Sequence, residues 1–134
     1  MGARLLKISV FYLIVGVGLG MYMSIVHNFG YTGAHAHINL LGWASLALAG
    51  LIYVLFPAAA ESTLGKIHFW LHNIGLPIMC IGLFIVVHNQ SLAVPIISIG
   101  SILATLGIIS FFINVLKNVN AADVKDAYSN KITM

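Results

Sequence analysis

The chain has 134 residues, 60% hydrophobic and only 7% charged, with a mean hydropathy of +1.04. Soluble domains carry about 25% charged residues, and disorder needs low hydrophobicity with high net charge, so both classes are excluded. The net charge of +3 comes from six basic and three acidic residues with no basic run, which excludes a nucleic-acid partner. One cysteine, Cys80, has no partner for a disulfide within the chain.

Arg4 and Lys7 open the chain, and Glu61 and Lys66 sit mid-chain. Lys117, Asp123, Lys125, Asp126 and Lys131 lie at the end. Residues 8–60 and 67–116 carry no formal charge. A span needs about 20 apolar residues to cross a hydrocarbon core roughly 30 Å thick, so each block accommodates two. HNFGYTG at 27–33 breaks the first block and HNQS at 88–91 the second.

The expected fold is all-α: one membrane domain over 1–134, a four-helix transmembrane bundle running up and down. The helices are expected at about 8–26, 37–56, 67–88 and 92–116, followed by a polar cytoplasmic tail at 117–134. Pro57 fits the end of the second helix, and Pro77 is expected to kink the third. Every lysine and arginine then falls on one side, which puts both termini in the cytoplasm. A signal peptide ending at Ala34-His35-Ala36 fits poorly, because the apolar run is longer than such segments use. The opening Met-Gly-Ala-Arg-Leu-Leu lacks the Ser/Thr of a myristoylation motif.

Six histidines are the anomaly in so apolar a chain. Titratable groups at membrane depth are costly and mark bundle interiors or pathways. His27, His35, His37 and His88 fall at or near outer helix ends, and His68 and His72 near the inner end of the third helix. At 1.5 Å per residue, His37 and His72 are expected to differ in depth by roughly 20 Å, giving separate outer and inner candidate sites. His35 and His37 lie about 200° apart around a helix, so both cannot point inward. His37 is the inward candidate, heading a face through Leu40, Leu41, Ala44 and Leu48.

The plainer reading of His27, His35 and His88 is interfacial contact with water or headgroups. His68 is expected at the interface beside Trp70 in the aromatic belt. His72 is expected to cap the carbonyls that Pro77 frees. His68 and His72 share a helix face at i,i+4, but no carboxylate or cysteine completes a zinc set. Met79 and Cys80 read as packing residues. Gly16-x-x-x-Gly20 and Gly100-x-x-x-Ala104 permit close helix approach.

Residues 37–57, HINLLGWASLALAGLIYVLFP, resemble the second transmembrane helix of heme-copper oxidase subunit I, closest to the nitric oxide reductase branch. HFWLHNIG (68–75) looks like the aromatic start of that family's third helix, and SIGSILATLGIISFFINVLKN (98–118) like its fourth. The resemblance covers nearly the whole chain but only the first third of the family's twelve-helix subunit. It implies that His37 is an axial ligand of a low-spin heme. The family's remaining heme and copper ligands lie on later helices, so a complete oxygen-reducing centre is not implied. The family's arginine before the second-helix histidine is also missing, with Gly33, Ala34 and Ala36 in its place.

The expectation is a b-type heme protein of the bacterial cytoplasmic (inner) membrane, active in electron transfer or in binding oxygen or nitric oxide. His37 is the axial ligand, oriented by Tyr31 or Asn39, with His88, His27 or a histidine of another protomer as the second. His72 joins the candidate cofactor-binding set. The rival is a copper site of His27, His35, His37 and His88, since imidazoles suit copper. A third reading is a non-catalytic partner or assembly subunit of a respiratory complex. The expected partners are the lipid bilayer, a respiratory electron donor and further copies of the chain. The small-residue faces permit contact, and the resemblance implies a trimer ahead of a dimer, because three copies give the twelve helices of that family's subunit.

Overall fold

The computed structural model describes residues 1–120; Asp123, Lys125, Asp126 and Lys131 of the expected tail lie outside the described residues. The described residues form helices α1 (Gly2–Val26), α2 (Thr32–Leu55), α3 (Pro57–Glu61), α4 (Thr63–Ile85) and α5 (Gln90–Asn118). All but α3 are long and apolar enough to cross a membrane. Their outer faces suit hydrocarbon: Ile14, Leu40, Ile102 and Leu116 are all more than half exposed.

The helix ends differ from expectation for local reasons. Arg4 and Lys7 lie inside α1, not before it. This is compatible with long basic side chains that snorkel from a helix end. The α2 helix starts at Thr32, so the whole Thr-Gly-Ala-His-Ala-His segment is helical. It stops at Leu55 because Phe56, preceding Pro57, is extended (φ −124°, ψ 82°), as residues before proline tend to be. Pro57 then occupies the first turn of α3, where its missing N–H costs nothing. Ser62 caps α4 by accepting from the Gly65 N–H at 2.9 Å, and Asn89 caps α5 by accepting from Leu92 at 3.1 Å. The α4 helix is continuous through Pro77.

Residues Ile38–Ser45 within α2 are wound as a π-helix. The Ser45 hydroxyl donates to the Leu40 carbonyl, five residues back, at 2.8 Å.

Two glycine seams hold the bundle. In the first, Gly2 lies against Gly50 and Val54, Gly16 against Asn39, and Gly20 against His35, so contacts run in opposite order along α1 and α2. In the second, Gly75 meets Gly100 and Ala104, and Gly82 meets Ala93 and Ile97. A Cβ on Gly75 would stand 2.5 Å from the Ala104 nitrogen, so only glycine lets the backbones meet. Gly16, Gly20, Gly100 and Ala104 are therefore engaged within the chain.

Buried apolar residues form two clusters. Leu5, Leu46, Ala49, Tyr53, Phe56, Ala59 and Ala60 pack at the end carrying Arg4, Lys7, Lys66 and Lys117, here called the basic end. Ile38, Leu76, Met79 and Cys80 pack further along the bundle, consistent with the packing role expected for Met79 and Cys80.

Candidate functional site

His35, not His37, points inward. Its Nδ1–H donates to the Gly16 carbonyl on α1 at 2.9 Å, and a Cβ on Gly20 would stand 2.8 Å from its Cε1. One turn on, the Asn39 amide lies over Gly16 and donates to the His35 carbonyl at 2.8 Å. His35 and Asn39, spaced i,i+4, thus interlock with Gly20 and Gly16, also spaced i,i+4. The glycine pattern was visible in the sequence as a generic packing motif, but its histidine partner was not.

His37 lies on another face of α2. The inward stripe expected through Leu40 and Leu48 is overturned, since these are 65% and 61% exposed. The His37 Nδ1–H donates to the Gly33 carbonyl at 2.8 Å. Gly33 therefore orients the ring, in place of the expected Tyr31 or Asn39. Tyr31 instead packs on Phe84 and His88, with ring centroids 5.5 and 6.5 Å away. Beside His37 is an apolar groove of about 180 Å³ lined by Ala36, His37, Leu40 and Leu41.

A carbonyl oxygen only accepts, so Gly16 and Gly33 fix the proton of both rings on Nδ1. Nε2 of His35 and His37 is then unprotonated in the neutral ring and carries a lone pair. Ligating histidines are commonly arranged this way, with one nitrogen anchored to a carbonyl and the other facing the metal.

His27 is exposed at the end of α1, where its left-handed backbone (φ 52°) closes the helix. His88 is also exposed. Among the described residues no group of three or more His, Cys, Asp or Glu side chains is placed to hold a metal. The four-histidine copper cluster is therefore not assembled within the described chain. His35 is turned onto α1, and His37 lies elsewhere on the helix.

The histidines of α4 have a different setting. His68 and His72 are each only 1% exposed, so His68 is a core residue and not the interfacial one expected beside Trp70. Its neighbours are Tyr53 and Phe111, whose ring centroids lie 5.7 and 4.8 Å away. The His72 Nε2–H donates to the Leu41 carbonyl of α2 at 3.2 Å. It does not cap carbonyls freed by Pro77. That contact also overturns the roughly 20 Å depth difference expected between His37 and His72, because Leu41 is one turn from His37. The cause is the early start of α2 at Thr32, which carries His37 further into the span.

The Leu41 carbonyl fixes the polarity of a longer chain. With Nε2 of His72 donating, its Nδ1 accepts from His68 Nε2–H at 3.3 Å. His68 Nδ1 then accepts from the Tyr53 hydroxyl at 2.9 Å, and the Tyr53 oxygen accepts from the Asn114 amide at 3.3 Å. The same amide donates to Ala59 O at 2.9 Å, while Asn114 Oδ1 accepts from Asn118 at 2.7 Å. An amide closes one end and a backbone carbonyl the other, and neither passes on a proton readily. Both nitrogens of both imidazoles are engaged. This line ties α2, α3, α4 and α5 together, and a cavity of about 210 Å³ lined by Ser45, Leu48, His68, His72, Ile108 and Phe111 runs beside it.

Compared with known proteins, the chain matches no family model, and no match is found among curated proteins or among solved structures.

Proposed function

We propose that the chain is a b-type heme-binding membrane protein in which His37 is an axial ligand. One observation carries this: His37 is anchored through Nδ1 to the Gly33 carbonyl, which leaves Nε2 to ligate beside an apolar groove. The donor set fits the group, since a neutral imidazole with one anchored nitrogen suits iron, and Ala36, Leu40 and Leu41 offer an apolar face to a flat macrocycle. The resemblance of residues 37–57 to the second helix of heme-copper oxidase subunit I points to the same histidine. A bound heme would supply one-electron transfer, or binding of oxygen or nitric oxide if one axial position stays open. This chain's residues would anchor the imidazole, fix its proton on Nδ1 and exclude water from the groove.

The reading extends to topology and assembly. Opposed contacts along α1 and α2 and the shared end of Arg4, Lys7, Lys66 and Lys117 support an up-and-down bundle. By the positive-inside rule that end is cytoplasmic, in a bacterial inner membrane. The groove is lined by α2 alone, so a second ligand to the iron would come from His88 or from a histidine of another copy in a homo-oligomer. The electron donor would be a respiratory one.

A second reading rests on His35, whose Nε2 is also left without a proton: a copper ion held there with ligands from elsewhere. One measurement separates the readings. Purified protein is supplemented with heme, and reduced-minus-oxidised spectra are recorded with and without carbon monoxide alongside metal analysis. A Soret band lost in His37→Ala and kept in His35→Ala supports the heme assignment. Copper without porphyrin, lost in His35→Ala, supports the second reading. A Soret band unchanged in His37→Ala overturns the first.

A further inference from the structure

At the basic end, α1 and α4 enclose an open cleft of about 320 Å³ lined by Met1, Arg4, Lys66, Phe69 and Trp70. It shares no lining residue with the cavities beside His37 and His72. Two basic side chains, Arg4 and Lys66, meet there from segments more than sixty residues apart in sequence. Glu61, the only side-chain carboxylate among residues 1–120, does not line it. Trp70 is 62% exposed, and its ring packs edge-on against Phe69 with centroids 5.5 Å apart.

Each of these features answers to one part of an amphiphilic anion. A guanidinium presents a planar fork that grips phosphate oxygens in pairs, and an ammonium adds a compact charge. Tryptophan favours the level of the headgroups, where its ring meets both glycerol and the first methylenes. Cytoplasmic leaflets are rich in anionic lipid, and basic pockets between helices on that side bind such headgroups. Orientation alone would be served by basic residues scattered around the bundle. Lys7, on α1 but outside the cleft, is such a residue.

We propose that this cleft binds the phosphate of an anionic phospholipid, with Arg4 and Lys66 holding the phosphodiester and Trp70 and Phe69 packing its glycerol and upper acyl chains. The proposal rests on the membrane reading and not on the heme. The full chain is placed in nanodiscs of equal phosphatidylcholine and phosphatidylglycerol, and retained lipid is read by native mass spectrometry. Two nearby charges should enrich phosphatidylglycerol about thirtyfold over phosphatidylcholine. The enrichment should fall to parity in Arg4→Gln/Lys66→Gln, persist in Arg4→Lys/Lys66→Arg, and persist in Lys7→Gln. The Lys7 variant separates a built cleft from general surface charge, and equal loss there overturns the proposal. So does the absence of any preference. Displacement of the lipid by millimolar inorganic phosphate would assign the cleft to a soluble anion and overturn the lipid. The discs are open on both sides, so altered insertion in the double variant does not affect the reading.

Discussion

The two histidine regions contrast at the level of single nitrogens. Near Gly33 and Gly16, each ring spends one nitrogen on a carbonyl and leaves the other bare. Around Tyr53 and Asn114, every ring nitrogen is engaged, and no buried side-chain nitrogen or oxygen among the described residues is without a partner. Burial therefore does not mark the histidines that keep a free ring nitrogen. The most deeply buried pair has both nitrogens of each ring bonded, and the half-exposed pair has one bonded to a carbonyl. The regions meet at Leu41, whose side chain lines the His37 groove while its carbonyl receives the His72 N–H.

The contrast is broken most directly at its structural pole. His68→Ala leaves the Tyr53 hydroxyl and His72 Nδ1 without partners and opens a void, which should cost about 3 kcal/mol. Thermal unfolding in mild detergent can be followed through thiol-reactive dye labelling of Cys80, which is only 7% exposed when folded. A His68→Ala midpoint equal to that of the parent would show that the chain of hydrogen bonds contributes nothing.

Gly100→Ala should follow, at about 1–3 kcal/mol, because the new methyl would collide with the Met79 backbone across the second seam. Gly18→Ala is its control. Nothing lies within 4 Å of a Cβ at Gly18, so its unfolding midpoint should hardly move. Equal effects at the two glycines would count against the seam.

Asn39→Ala should cost about 1 kcal/mol by removing the amide bond to the His35 carbonyl. A small stability change is expected for His37→Ala, within about 0.5 kcal/mol, because the ring bonds only its own helix. The same variant should abolish the Soret band of heme-supplemented protein. A large loss of stability in His37→Ala would place that histidine in the structural class and erase the contrast.

The four spans were legible because the absence of charge from 8–60 and 67–116 is a property of composition, which no tertiary contact overrides. Their ends were less legible. Ser62 and Asn89 carry capping side chains, yet their role depends on backbone angles that residue type alone does not set. The spacing of the histidines along the chain was readable, but neither their depth nor their facing was. Helical phase from residue 37 assumes regular winding, and Ile38–Ser45 departs from it. Nothing in Ile-Asn-Leu-Leu-Gly-Trp-Ala-Ser announces that change. The burial of His68 was also hidden, since its partners Tyr53 and Phe111 lie on other helices.

The widened winding of Ile38–Ser45 acts as a coupling between two rotors. The part of α2 before it presents His35 and Ala34 to the bundle, and the part after it presents Leu46, Ala49 and Tyr53. Bonds reaching five residues back hold more chain per turn than an ordinary helix, so the stretch sets the angular offset between these two faces. Wound as an ordinary helix, the same residues would turn one half against the other, and His35 could not meet Gly16 while Tyr53 met His68. The gear ratio of this single helix thus constrains which insertions and deletions α2 can tolerate, and it does so at a place where no individual side chain looks indispensable.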